Sequence, residues 1–244
     1  IIPEVIKSLI PYLDIQSKPL EKECSLSLLS IIIDKYPLQI KMCMIELVPA
    51  ISNLVWDPKI TIQQKTRIAL DKLIRCSGNK DLDPFLPVVL ETFEDPNKTG
   101  EAIEKLASCV FVQNVECAAI TIIEPILNKG LKDKTYEVMR KSCVIIDNMC
   151  KLVEHPKEIL PLISKIQPLV EKCAENISDP EARGVAERAL ITLKTACGEN
   201  KIISKTNDEI FLLLTETIKN YLLTTHTATL DDIKYLSLIV TNMS

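Results

Sequence analysis

Glycine is scarce in this 244-residue chain, with five residues, and aromatic side chains make up only 4% of it. Both shortages argue against sandwiches and barrels, which are built from many short, aromatic-rich strands joined by tight turns. The five glycines (Gly78, Gly100, Gly130, Gly184 and Gly198) show no GxxxxGK[ST] spacing. The backbone cradle that holds nucleotide phosphates in a P-loop is therefore missing, and ATP hydrolysis by that route is excluded. Histidine is rarer still: His155 and His226 have no second His at i+4 and belong to no Cys/His array of zinc spacing, so no metal site is expected. His155 precedes Pro156 and is expected to close a helix at its negative end. The longest run without a charged side chain, Asn220 to Leu230, has eleven residues, whereas a bilayer span needs about 20 apolar ones. With 29 basic and 33 acidic side chains the net charge is −4, so any surface for a polyanion must be local.

What the chain does have is 47% hydrophobic residues, 25% charged residues, and a repeat. Pro49, Pro87 and Pro125 lie in apolar segments (ELVPAISNLVWD, PFLPVVLETFED, IIEPILNKGLKD), and each is followed eight residues later by an aspartate, Asp57, Asp95 and Asp133. Successive prolines are 38 residues apart, as are successive aspartates. Pro3 to Asp14 and Pro168 to Asp179 keep the order with a spacing of eleven, one helical turn more. After each Asp comes a polar turn and then a segment of helical period, such as Tyr136 to Val153 with Ile146, Met149, Cys150 and Val153 on one stripe. Each unit reads as helix, turn, helix. The proline is expected to kink the first helix, and the aspartate to cap the second.

Two-helix units of this length are the signature of HEAT and armadillo solenoids, and the poverty in glycine favours HEAT, because armadillo units need a sharp glycine turn into a third helix. The predicted fold class is all-α: an α-solenoid of about five HEAT-type hairpins over residues 1–200. Residues 201–244 then read as two amphipathic helices (Ile210, Leu213, Leu214, Ile218, Tyr221; Ile233, Leu236, Ile239, Val240) that begin a helical bundle. The chain starts at Ile1 without Met or a signal peptide and reads as a piece of a larger protein.

Nine cysteines are scattered without a CxxC pair, mostly among Leu, Ile and Val. They read as small buried hydrophobes of a reducing compartment. Cys143 and Cys150 share a helical face and are assigned to the core, as is Trp56. Between Pro125 and Lys151 six basic residues (Lys129, Lys132, Lys134, Arg140, Lys141, Lys151) face three acidic ones. Arg183 and Arg188 in the next unit extend this patch. Charge alone leaves two readings open, a solvated turn or a phosphate-binding edge.

The segments RKSCVIIDNMCKLVEHPKEILPLISKIQPLVEKC (Arg140 to Cys173) and SDPEARGVAERALITLK (Ser178 to Lys194) resemble the end of the HEAT domain of the translation elongation factor three family. ELVPAISNLVWDP and NKDLDPFLPVVLETFEDP resemble its preceding repeats, and the stretch after Thr206 resembles the start of its four-helix bundle. A scaffold that activates a translation-inhibiting kinase carries a related module. The resemblance implies a cytoplasmic ribosomal ATPase whose HEAT domain docks on ribosomal RNA and proteins, supports release of exit-site tRNA, and works with other elongation factors. ATP and magnesium would belong to cassettes of the parent protein, with no cofactor in this fragment. It also brings Lys129, Lys132, Lys134, Arg140, Lys141, Arg183 and Arg188 into one expected ribosome-facing set.

Overall fold

The computed structural model describes residues 1–198, which hold eleven α-helices and five 3-10 turns and, among the described residues, no strand. The helices pair into five hairpins. Helix α1 (Ile2–Leu9), with the 3-10 turn Ile10–Leu13, precedes α2 (Pro19–Lys35). The short α3 (Pro37–Lys41) leads into α4 (Met44–Ser52), whose partner is α5 (Ile60–Arg75). Helices α6 (Leu86–Glu94) and α7 (Thr99–Ala107), then α8 (Cys117–Gly130) and α9 (Tyr136–Cys150), then α10 (Leu160–Asn176) and α11 (Pro180–Ala196) complete the series. The expected bundle start at 201–244, with His226, lies outside the described residues.

The repeat marks behave as two kinds of punctuation. Pro49, Pro125 and Pro168 stand inside α4, α8 and α10, where each removes a backbone donor. Pro3 and Pro87 instead occupy first-turn positions, whose N–H groups have no helical partner in any case. The expectation of a proline inside every first helix therefore holds for three units of five. The aspartates share a different function from the one the sequence suggests. Asp14, Asp57, Asp95 and Asp133 each accept the backbone N–H two residues on, at 2.8 to 3.0 Å, closing the turn itself. Only Asp179 caps an α-helix, accepting from Ala182 N at 2.7 Å.

Because each hairpin is antiparallel, all five Asp turns lie at one edge of the stack and all connections between units lie at the other. The second helices form one layer, with α2 on α5 and α7 on α9 on α11. Between α5 and α7 that layer is interrupted, and α5 packs on α6 instead. In the first-helix layer α4 reaches past α6 to touch α8. A single core runs through all units, from Ile6 to Cys197. Burying each such aliphatic side chain contributes about 1.5 to 3 kcal/mol, and a lone hairpin, open on two faces, would forfeit much of that.

Cys143, Ile146, Met149 and Cys150 are buried on α9 as their spacing implies. Val153 lies beyond the helix, because the chain turns at Lys151 and Leu152 O accepts from Val115 N at 2.9 Å. One core assignment and one helix-end assignment fail. Trp56 is 57% exposed, because it ends the 3-10 turn Asn53–Trp56 next to the buried Asp57. His155 ends no helix: it is extended (φ −124°) ahead of the 3-10 turn Pro156–Glu158.

Candidate functional site

The basic segment folds as the last turn of α8, the Asp133 turn and helix α9. Lys129 sits in the last turn of α8, Lys132 and Lys134 sit in the connection, and all three are exposed. Asp133 Oδ1 accepts Thr135 N at 2.8 Å and the Thr135 hydroxyl at 2.7 Å. That hydroxyl, then the Thr135 amide, holds the Asp133 carboxyl below its usual range, so the turn stays tied by an ionised carboxylate. Gly130 lets α8 approach its neighbours closely. A Cβ there would lie 2.1 Å from Ile103 Cδ1 and 2.4 Å from Ser142 Oγ, both on buried residues.

Ion pairing divides the six basic residues of the segment into two groups. Arg140 contacts Glu137 at 3.4 Å and Glu181 at 3.6 Å. Lys141 contacts Glu104 at 2.8 Å and Glu137 at 3.2 Å, and Lys151 contacts Asp147 at 2.7 Å. The hydrogen bond that Lys141 donates to Glu104, followed by the one to Glu137, raises its ammonium above its ordinary value, as expected of a cation already committed to carboxylates. Among the described residues, Lys129, Lys132 and Lys134 have no ion pair. Lys132 instead donates to Asn128 Oδ1 in the preceding turn of α8.

The seven expected residues differ in what each is already bonded to. Arg183 occupies the fourth position of α11, the place Lys22 fills in α2, and its guanidinium donates to the carbonyl of Ile177 in its own turn at 3.5 Å. Arg188 is exposed more than a turn further along α11, near Asp147. Two residues that charge counting missed join the lysines instead. Lys132, Tyr136, Lys172 and Asn176 line a groove of about 170 Å³ between the turns of units four and five, and Tyr136 is 47% exposed. Tyr136 was legible as the aromatic next to a basic run; Lys172 was not, because only stacking brings it to Lys132.

Among the described residues no cluster of three or more His, Cys, Asp or Glu could hold a metal ion. The two glycines with positive φ, Gly78 and Gly198, follow helix C-termini and form no phosphate cradle at a helix N-terminus. Among the described residues no disulfide joins the cysteines, and six of the nine are buried. Burial, with a smaller contribution from Asp81, pushes the Cys109 thiol up to about 11, far from nucleophilic. No helix among the described residues is long and apolar enough to cross a membrane.

Two family models match the chain: "EF3 N-terminal HEAT repeat" over residues 1–70 and "Elongation factor 3/GNC1 HEAT repeat" over residues 97–204. The chain belongs to the elongation factor 3 HEAT-repeat family. Elongation factor 3 of Pneumocystis carinii is 36% identical over 202 residues, 78% of this chain and 19% of that protein. Elongation factors 3A and 3B of Saccharomyces cerevisiae are 37% and 34% identical, over 79% and 82% of this chain. The chain spans about a fifth of the length of these curated relatives. The all-α HEAT solenoid read from the repeat and the elongation factor 3 resemblance read from the quoted segments are thus correct, and the chain is an elongation factor 3 HEAT-repeat segment.

Proposed function

We propose that this elongation factor 3 segment is a non-catalytic docking region that holds its parent protein on the ribosome through phosphate contacts at the α8–α9 turn. The observation that carries this reading is the set of three exposed lysines, Lys129, Lys132 and Lys134, without ion pairs among the described residues of a protein of net negative charge. Cations that are not already neutralised release counterions from a phosphate backbone on binding, whereas Arg140 and Lys141 would first have to break their own pairs. Tyr136 beside Lys132 and Lys172 adds a ring face on which an unstacked base can lie. Arg183 and Arg188 flank the surface and contribute long-range attraction. The parent, in this reading, is a cytoplasmic ATPase with magnesium-dependent cassettes outside these residues, and docking supports release of exit-site tRNA.

The test is sedimentation of the 244-residue chain with ribosomes over a salt series. Each of Lys129, Lys132 and Lys134 replaced by Ala weakens retention and lowers the salt slope by about 1. Unchanged retention of the triple Glu variant overturns the assignment. A second reading is favoured by the family description that joins elongation factor 3 with GNC1: a HEAT scaffold that brings a kinase regulator to ribosomes. Sequencing the transcript beyond Ser244 separates the two, since one predicts P-loop cassettes and the other further HEAT units.

A further inference from the structure

At the wall of the lysine groove, two thiols from different units meet. Cys143 lies on α9 and Cys173 near the end of α10, 0% and 4% exposed. The Cys143 thiol donates a hydrogen bond to the Cys173 sulfur. Cys173 in turn donates to the carbonyl oxygen of Leu131, with its Sγ at 3.5 Å. Leu131 stands directly before Lys132 in the turn that follows α8. One sulfur therefore links the lysine turn, α9 and α10.

The two thiols are not equivalent. Cys143 is sealed, whereas Cys173 forms part of the lining of the groove of about 170 Å³, together with Lys132 and Lys172. That space is several times the roughly 30 Å³ a water molecule takes up in the liquid, so a molecule the size of hydrogen peroxide fits within reach of the Cys173 sulfur. Acidity separates the pair as well. The hydrogen bond from Cys143, opposed by burial and aided by Lys172, pulls the Cys173 thiol below its ordinary value. The same bond, then burial, pushes the Cys143 thiol up. Burial also raises the thiols of Cys43, Cys76, Cys109, Cys117 and Cys150. Cys173 moves the other way, toward the thiolate, which is the form that attacks peroxides.

We propose that Cys143 and Cys173 form a redox switch: a hydroperoxide oxidises Cys173, Cys143 closes a disulfide with it between units four and five, and the lysine turn loses its tie to α10. In the first step the Cys173 thiolate attacks one peroxide oxygen and the O–O bond breaks. The leaving oxygen takes up a proton and departs as water, or as an alcohol from an organic hydroperoxide, and Cys173 becomes a sulfenic acid. In the second step the Cys143 sulfur attacks the Cys173 sulfur, the S–O bond breaks, and the hydroxyl leaves as water with the Cys143 proton. Two thiols and one hydroperoxide thus give one disulfide, one water, and a second water or an alcohol. Neither sulfur then carries a hydrogen, so Leu131 O is left without its donor. The switch acts on the turn assigned to ribosome docking, but its chemistry belongs to the two thiols and stands or falls without that reading.

The experiment treats the 244-residue chain with an equimolar amount of hydrogen peroxide, blocks the remaining thiols with N-ethylmaleimide, and maps disulfides by mass spectrometry without reduction. Expected are a dominant Cys143–Cys173 linkage within one chain, reversed by dithiothreitol, and backbone amides of Leu131, Lys132 and Asp133 that exchange with deuterium ~3-fold or more faster after oxidation. In Cys143→Ala, dimedone should trap Cys173 as the sulfenic acid; in Cys173→Ala, Cys143 should stay reduced. The mapping and the exchange use the unsubstituted chain, so they decide the matter even where a variant fails to fold. A map dominated by any other linkage, a treated chain in which Cys173 remains a thiol, or unchanged exchange at the turn would overturn the proposal. Ribosome retention enters none of these readouts, which separates failure here from failure of the docking assignment.

Discussion

The turns at Asp57 and at Asp133 carry the same repeat mark two units apart, yet their surroundings are opposite. Asp57 is 1% exposed and pairs with Lys22, itself 4% exposed, which also donates to Ile15 O at 2.9 Å. One lysine from the first turn of α2 thereby ties two successive turns together. Asp133 is only partly buried and receives no cation from the preceding unit, because Ala102 stands at the position in α7 that Lys22 fills in α2. Its neighbours Lys132 and Lys134 stay in solvent. A turn that spends its charge on a buried pair is a structural joint, whereas a turn whose cations lack counter-ions is available to a partner.

The largest expected effect is at the joint. Asp57→Ala leaves the Lys22 ammonium buried without a carboxylate and should cost about 3 to 5 kcal/mol in urea unfolding. A Lys22→Met, Asp57→Leu double variant should recover most of that, since an apolar pair of similar volume avoids the charge desolvation. Full stability in the single variant would dissolve the contrast between the two turns.

Next is the frame of the lysine turn. Gly130→Ala forces a methyl against Ile103 and Ser142, and overpacking of that kind should cost about 1 to 3 kcal/mol, read as a lower denaturant midpoint. The triple substitution of Lys129, Lys132 and Lys134 by Glu should then change stability by less than about 0.5 kcal/mol while removing ribosome retention. Stability and binding are thus expected to separate at this turn and not at Asp57.

The smallest effect concerns acid. Because hydrogen bonds from Thr135 lower the folded-state Asp133 carboxyl, its contribution is fully present above the unfolded value of about 3.9 and is lost as pH falls through the folded value. Asp133→Asn should therefore be slightly less stable than the parent near neutrality and equal to it in strong acid, by thermal melts across pH. A gap that persists in acid would assign the Asp133 effect to turn geometry alone.

Much of this fold was legible in the chain. Apolar stripes at helical spacing and the 38-residue proline and aspartate rhythm mark each hairpin, because helix period and turn chemistry are local properties. Trp56 escaped that logic, since a 3-10 turn rotated it outward. The proposed phosphate-contact surface was half legible: composition located the basic run and the nearby Glu137, but the other counter-ions of Lys141 and Arg140, Glu104 and Glu181, come from other helices, far away in sequence.

By itself, then, the order of residues determined the hairpins, their number within the described chain and the kinship with elongation factor 3, all of which depend on near neighbours along the backbone. Stacking alone decided which lysines keep a free charge, why Gly130 has to be glycine, and that Cys143 and Cys173 meet across two units. The physical reason is that ion pairing, steric fit and desolvation are set by distances across helices, and those exist only once the units have packed.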